Sequence, residues 1–169
     1  MRFEDFARAR LPALLRYATL LCGERESARD LVQDVLTRAL VRWRRIGALD
    51  EPYAYARAML TNEFLSQRRR RRVVTVPLTF EALDGPAAPV QRDYATEASA
   101  REAMWQQLAT LPPQQRATLV LRYYEGLSDA EIADVLGCRA ATVRSNAARA
   151  LAALRIELTD SSLATEGRQ

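Results

Sequence analysis

Apolar residues recur every three or four positions along most of this chain, the period of helices that each bury one face. Phe3, Phe6, Leu11, Leu14, Leu15, Ala18 and Leu21 predict one or two helices ending near Gly23. Ser27 is placed to cap a longer helix carrying Leu31, Val32, Val35, Leu36, Ala39, Leu40 and Trp43. The pattern breaks over Gly47–Glu51. Pro52 then suits the first turn of a helix that runs through Tyr55, Ala58, Met59, Asn62 and Leu65 into the arginines 68–72. Residues 73–95 lose all helical periodicity and hold three of the seven prolines, which predicts an irregular, partly extended linker. From about Thr96 helices resume. Pro112-Pro113 separates one containing Met104, Trp105 and Leu108 from one containing Leu119, Val120 and Tyr123.

Residues 127–151 carry the most specific local signal. Ser128 followed three residues later by Glu131 is a capping box, which opens a helix with Ile132, Ala133 and Leu136 on its apolar face. Gly137 can end that helix in a left-handed conformation. A second helix follows with Val143, Ala147, Ala150, Leu151 and Leu154 at helical spacing. Small Ala133 allows close approach, Gly137 makes the turn, and Val143 locks the second helix on the first. This is a helix-turn-helix, whose second helix can project into a DNA major groove. Arg139, Arg144, Ser145 and Arg149 lie away from the packed face, free to meet bases or phosphates. An ordinary helical hairpin with solvated arginines is the alternative. Capping box, turn glycine, small packing residue and exposed arginines together favour DNA.

The fold class is therefore all-α, with two small helical domains at 1–72 and 96–158, a linker at 73–95 and a frayed polar tail at 159–169. Composition agrees: 49% of the 169 residues are apolar, enough for cores in both. All 25 basic residues are arginine, which suits bidentate contacts to phosphate and guanine. Histidine is absent, removing the commonest general base and the commonest zinc ligand; neither metal nor cofactor is expected. Cys22 and Cys138, far apart in sequence, read as free thiols of a reducing compartment. No apolar run approaches a membrane span and no signal peptide is visible, so a cytoplasmic protein is expected. The net charge of +4 is uneven: residues 1–72 hold 16 arginines against 9 acids, whereas residues 101–169 balance at 8 against 8.

Within the basic N-terminal part, Asp30, Gln33 and Asp34 share one helical face, which would suit a polar or basic protein partner; alone, the triplet reads more readily as solvated surface. The stretch from Trp43 mixes rings with cations: Arg44, Arg45, Tyr53, Tyr55, Arg57, Asn62 and Phe64 lead into Arg68, Arg69, Arg70, Arg71 and Arg72. Bases of a single strand stack on rings while arginines hold the backbone. Phe64 falls on the apolar stripe and belongs to the core. Five successive arginines circle a helix and cannot all pair internally, which calls for an anionic partner.

Together these motifs resemble the sigma factors of bacterial RNA polymerase, specifically the compact extracytoplasmic-function group that has only the second and fourth sigma regions. The resemblance is closest to a subgroup common in actinobacteria. Residues 28–35 resemble that group's polymerase-binding helix, which implies that Asp30, Gln33 and Asp34 dock on the β′ clamp. Residues 53–70 resemble its promoter-melting helix, implying that Tyr53, Tyr55, Arg57, Asn62, Arg68, Arg69 and Arg70 meet the −10 element as a melted strand. Residues 111–116 and 123–128 are similar to the start of the fourth region, and the match continues through Arg149-Ala150. Arg139, Arg144, Ser145 and Arg149 would then read the −35 element as duplex. The implied function is promoter-specific initiation without catalytic chemistry. The implied partners are core RNA polymerase through the β′ clamp and β flap, promoter DNA and, as an optional inhibitor, an anti-sigma protein. The free chain is expected to be a monomer without membrane insertion.

Departures from the family pattern are Tyr55 in place of tryptophan, Arg139 in place of a capping serine, Arg144 in place of lysine, and small or polar Asn146 and Ala148. They leave the fold intact and prevent transfer of a promoter sequence from other members. A dimeric duplex-binding regulator would need a dimerisation or sensor domain that residues 1–72 do not offer. A serine recombinase would need an activated serine, and Ser27, Ser66, Ser99 and Ser128 lack such a setting.

Overall fold

The computed structural model describes the backbone of residues 1–74 and 97–166, with side chains through Val73 and from Glu102 to Arg155. The expected linker thus lies almost wholly outside the described residues. The chain divides into two compact units, residues 1–85 and 86–169.

In the first unit α1 spans Phe3–Cys22 as one helix. Pro12 lies within it on the exposed side, where the missing N–H and the ring disturb the core least. Gly23, at φ 82°, ends it by donating its N–H to the Thr19 carbonyl at 2.8 Å. α2, Arg25–Val41, starts earlier than the sequence predicts. Glu24 occupies the cap position and Ser27 sits inside the helix, its hydroxyl donating to the Glu24 carboxylate. The expected cap at Ser27 is therefore corrected. The side chain bonds back to the preceding acid instead of to the helix backbone. A short α3, Trp43–Ile46, leads into the turn at 47–51, and α4, Pro52–Val74, opens on its proline.

Helices α1, α2 and α4 pack on one another through Phe6, Leu14, Tyr17, Leu31, Val35, Leu60 and Phe64, all at most 2% exposed. Trp43 is fixed against Phe6 and Phe3, with ring centroids 4.8 and 5.3 Å away, and donates its indole N–H to the Met1 carbonyl at 3.0 Å. Gly47 lies so close beneath it that a Cβ there would stand 2.9 Å from the indole. Two polar groups are built into this core. Tyr17 and Thr61 share a 2.6 Å hydrogen bond between their hydroxyls, and Thr61 also bonds the Arg57 carbonyl at 2.9 Å. Glu63, on α4, accepts from Arg38 at 2.7 Å, Arg70 at 2.8 Å and Gln67 at 3.1 Å.

The second unit contains α5 (Glu97–Thr110), α6 (Pro113–Leu119), a π turn over Val120–Tyr124, α7 (Asp129–Leu136) and α8 (Ala140–Glu166). Helix α8 continues past the position where the sequence suggests a polar tail. Leu111, Leu119, Ala147 and Ala150 form the core, with Leu108, Leu151 and Leu154 packed against it. Arg116 is buried and donates to the carbonyls of Ala109 and Leu111 at 2.6 and 3.0 Å, closing the end of α5 that proline prevents from continuing. The π turn was not predicted. It shifts the side-chain register: Leu119 and Val120 are buried, whereas Tyr123, expected in the same helix, is 64% exposed.

The hydrogen bond from Arg38, reinforced by Gln67, Arg70 and the Arg38 charge, holds the Glu63 carboxyl below its ordinary value of 4.5 against the opposing effect of burial. A depressed carboxyl stabilises the fold above the unfolded pKa, and that stability is lost as pH falls through the folded value. Glu63→Gln should lower the unfolding free energy by roughly 1–3 kcal/mol at neutral pH, read by urea denaturation. The difference from wild type should shrink once pH drops below about 4.5. A gap that stays constant into acid would show that the charge of Glu63 is not what matters.

Candidate polymerase and nucleic-acid interfaces

On α2 the burial pattern separates the core stripe from the chemistry. Ala28, Leu31, Val32 and Val35 are buried, whereas Asp30, Gln33 and Asp34 are exposed. The structure adds a feature that periodicity did not reveal. Between α1 and α2 runs an open apolar groove of ≈ 460 Å³, lined by residues including Phe3, Leu11, Leu15, Leu36 and Leu40, with Gln33 in its wall. Of the three, Gln33 lines the groove, while Asp30 and Asp34, one helical turn apart, are exposed outside its lining.

Helix α4 sorts the expected strand-binding residues into two sets. Tyr55, Asn62 and Arg69 are exposed at intervals of seven residues, so they lie along one face over about 21 Å. Tyr53 and Arg57 belong elsewhere. Arg57 is 9% exposed, and its guanidinium lies 5.8 Å from the Tyr53 ring centroid. It cannot neutralise phosphates from the surface as expected, because position 57 falls on the buried stripe with Leu60, Thr61 and Phe64. Arg10 of α1 lies 5.5 Å from the same ring, an exposed cation that sequence spacing could not associate with Tyr53. The half-buried Tyr53 ring thus lies near two guanidinium groups, one from α1 and one from α4.

The arginine run divides likewise. Arg68 is half-buried, 5.4 Å from the Phe64 ring centroid, and donates to the Cys22 carbonyl at 3.4 Å. Arg70 is held by Glu63 while keeping its side chain 63% exposed. Arg69 and Arg72 are exposed with no ion pair among the described residues.

In the second unit the helix-turn-helix is formed as the sequence predicts. Ser128 Oγ accepts the Glu131 N–H at 3.3 Å, and the Glu131 carboxylate accepts the Ser128 N–H at 2.8 Å. Gly137 ends α7 at φ 64°, and its N–H and that of Cys138 both donate to the Ala133 carbonyl. Ile132, Ala133 and Val143 are buried where α7 meets α8. Arg139, Arg144, Ser145 and Arg149 are all exposed, and Ser145 donates to the Ala141 carbonyl at 3.1 Å. Asp129, the first residue of α7, accepts from Arg122 of the π turn and lies 3.9 Å from Arg144. That hydrogen bond raises the Arg122 guanidinium above its ordinary range. Asn146, a departure from the family pattern, is buried. Among the described residues no cluster of side chains could hold a metal, and no helix is long and apolar enough to cross a membrane.

A three-helix packing beside an apolar slot, with a helix-turn-helix unit following, defines a class: residues 6–73 match Sigma-70 region 2 and residues 101–154 match Sigma-70, region 4. The chain belongs to the extracytoplasmic-function group of RNA polymerase sigma factors. It is 40% identical over 159 residues to the RNA polymerase sigma-E factor of Streptomyces coelicolor, covering 94% of this chain and 86% of that protein. It is 33% identical over 153 residues to the ECF RNA polymerase sigma factor SigL of Mycobacterium tuberculosis, covering 87% and 83%. Among solved structures it is similar to the sigma factor RpoE of Bartonella quintana, crystallised with the anti-sigma factor NepR. That likeness has a TM-score of 0.65 and 27% identity over 93% of this chain and 96% of that one.

The division of the arginines has a direct consequence. Arg57→Gln should lower the stability of the first unit by about 1–3 kcal/mol, because a buried side chain loses its packing and its ring contact. Arg69→Gln should change it by less than about 0.5 kcal/mol. Thermal unfolding followed by circular dichroism separates the two; equal effects would contradict the assignment of Arg57 to the core.

Proposed function

We propose that this sigma factor binds core RNA polymerase through Asp30, Gln33 and Asp34 on α2, and directs initiation at promoters read in two physical forms. Helix α8 reads the upstream, −35 element as duplex. The first unit receives the downstream, −10 element as a melted strand. The observation that carries this reading is the helix-turn-helix, in which Val143, Ala147 and Ala150 are buried while Arg139, Arg144, Ser145 and Arg149 stay exposed. Arg144, early in α8, is the base reader, and Arg149, further along, holds the backbone. The β′ clamp meets α2 beside its apolar groove, and the second unit meets the β flap. The protein acts in the cytoplasm as a monomer until it joins core enzyme.

For the melted strand, the stripe of Tyr55, Asn62 and Arg69 supplies one ring, one amide and one cation in sequence along α4. Arg10 extends the cationic surface from α1. The turn at 48–51, exposed just ahead of the α4 end that carries Tyr55, sets which displaced base is accepted. The crystallised relative with its anti-sigma factor supports an inhibitory protein as a further partner.

Reconstituted initiation with core polymerase tests the reading. The double variant Asp30→Arg, Asp34→Arg should lose core binding with its circular dichroism unchanged, since both residues are exposed. Retained core affinity would overturn the docking assignment. Arg69→Gln with Arg72→Gln should flatten the dependence of log K on log salt by about one to two units and leave base preference alone. Exchange of residues 48–51, with Gly47 retained beneath Trp43, should do the reverse. A loop exchange that leaves preference intact on a pre-melted template would move base selection to Tyr55 and Asn62.

A further inference from the structure

Asp129 occupies an unusual place for an acid in a surface meant to receive DNA. It is the first residue of α7, one position beyond the Ser128 cap, and its side chain is 30% exposed. One carboxylate oxygen, Oδ1, accepts a hydrogen bond from Arg122, whose side chain is 24% exposed on the π turn. The other, Oδ2, faces Arg144 Nη1 at 3.9 Å, and Arg144 keeps its side chain 62% exposed. Three elements therefore converge on one carboxylate: the widened turn, the first helix of the motif and the recognition helix.

The two ion pairs differ in kind. Arg122 makes a partly desolvated, charge-assisted hydrogen bond, which fixes the carboxylate. Arg144 lies beyond hydrogen-bond distance of Oδ2 in an exposed pair, which contributes little to stability. What such a pair changes is the distribution of Arg144 rotamers. An arginine that forks onto a base edge must present its guanidinium in one plane, and a long free side chain loses much rotamer entropy in doing so. A carboxylate anchored from behind biases the guanidinium towards one side of α8 without holding it back from DNA. Sites of recognition work when their contacting groups are supported in this way by a second set of residues.

We propose that Asp129, anchored by Arg122, is a positioning residue for Arg144 that sets upstream base discrimination. The inference rests on the reading of Arg144 as the base-contacting residue. A purely structural role for Asp129, a negative charge favourable at the start of α7, would alter all templates alike. So would simple repulsion of DNA phosphates by its charge. Positioning is distinguished by acting on one base pair only.

The test uses holoenzyme reconstituted from the full chain and core polymerase, on templates that differ one base pair at a time in the upstream element. Arg144→Ala should reduce the ratio of initiation from best to worst base at one position. Asp129→Asn should reduce the ratio at that same position by roughly two- to tenfold, and should add nothing to preference in the Arg144→Ala background. A change from Asp129→Asn that is uniform across templates, or that persists in full without Arg144, would overturn the proposal. If Arg144→Ala alters no ratio, the reading of Arg144 itself fails, and the positioning role falls with it. Should Asp129→Asn unfold the second unit, Asp129→Glu keeps the charge and moves the carboxylate by one methylene. It should narrow the same ratio, and a uniform effect would again count against positioning.

Discussion

Satisfying guanidinium groups is the constraint on which much of this structure depends. With every side-chain cation an arginine, each one brings five donors in a rigid plane and stays charged at any physiological pH. A buried guanidinium must find carbonyls, carboxylates or ring faces, and an exposed one advertises itself to anions. Both solutions are present. Arg116 closes a helix end with two carbonyls, and Arg38 and Arg70 converge on Glu63. Arg57 lies near the Tyr53 ring inside the first unit. Other arginines, among them Arg69 and Arg72 on α4 and Arg139 and Arg149 on α8, are exposed at the surface. The same chemical group thus serves as a brace, buried in Arg116 and at the surface in Arg38 and Arg70, and as a surface charge unpaired among the described residues.

The helix-turn-helix was legible because its parts have narrow residue requirements. A capping box needs a hydroxyl and a carboxylate three residues apart, and a left-handed turn favours glycine. Ser128, Glu131 and Gly137 leave little choice, and the structure forms all three devices. The acids of α2 were equally readable, since a residue between buried neighbours at helical spacing must face outward. Arg57 has the charge of a surface residue, but its spacing from Leu60, Thr61 and Phe64 puts it on the buried stripe.

Other features had no local signal. The association of Arg10 with Tyr53 joins residues of α1 and α4, and nothing in either segment specifies the other. The groove between α1 and α2 exists because Leu11, Leu36 and Leu40 are apolar residues left unburied by the packing, which a stripe of hydrophobic positions cannot distinguish from core. Cap position at the start of α2 was ambiguous for a physical reason: Glu24 and Ser27 are both acceptable acceptors, and they bond to one another. The linker prediction falls on residues that the structure does not describe.

The π turn at Val120–Tyr124 bears on how this unit tolerates change. A turn that closes over five residues holds one more than an ideal helix needs, so the angular phase of the chain is offset by about 100° between its two sides. Upstream, Arg116 and Leu119 are locked into the core; downstream, the chain must reach the Ser128 cap. The surplus residue takes up the mismatch between these two fixed phases. It works as a gear with one extra tooth, leaving the tyrosine pair exposed and letting Arg122 reach Asp129 while the flanking helices keep their seats. Length, more than side-chain identity, is what this stretch must conserve. A chain shortened there by a single residue would run as a smooth helix and turn Arg122 away from its carboxylate.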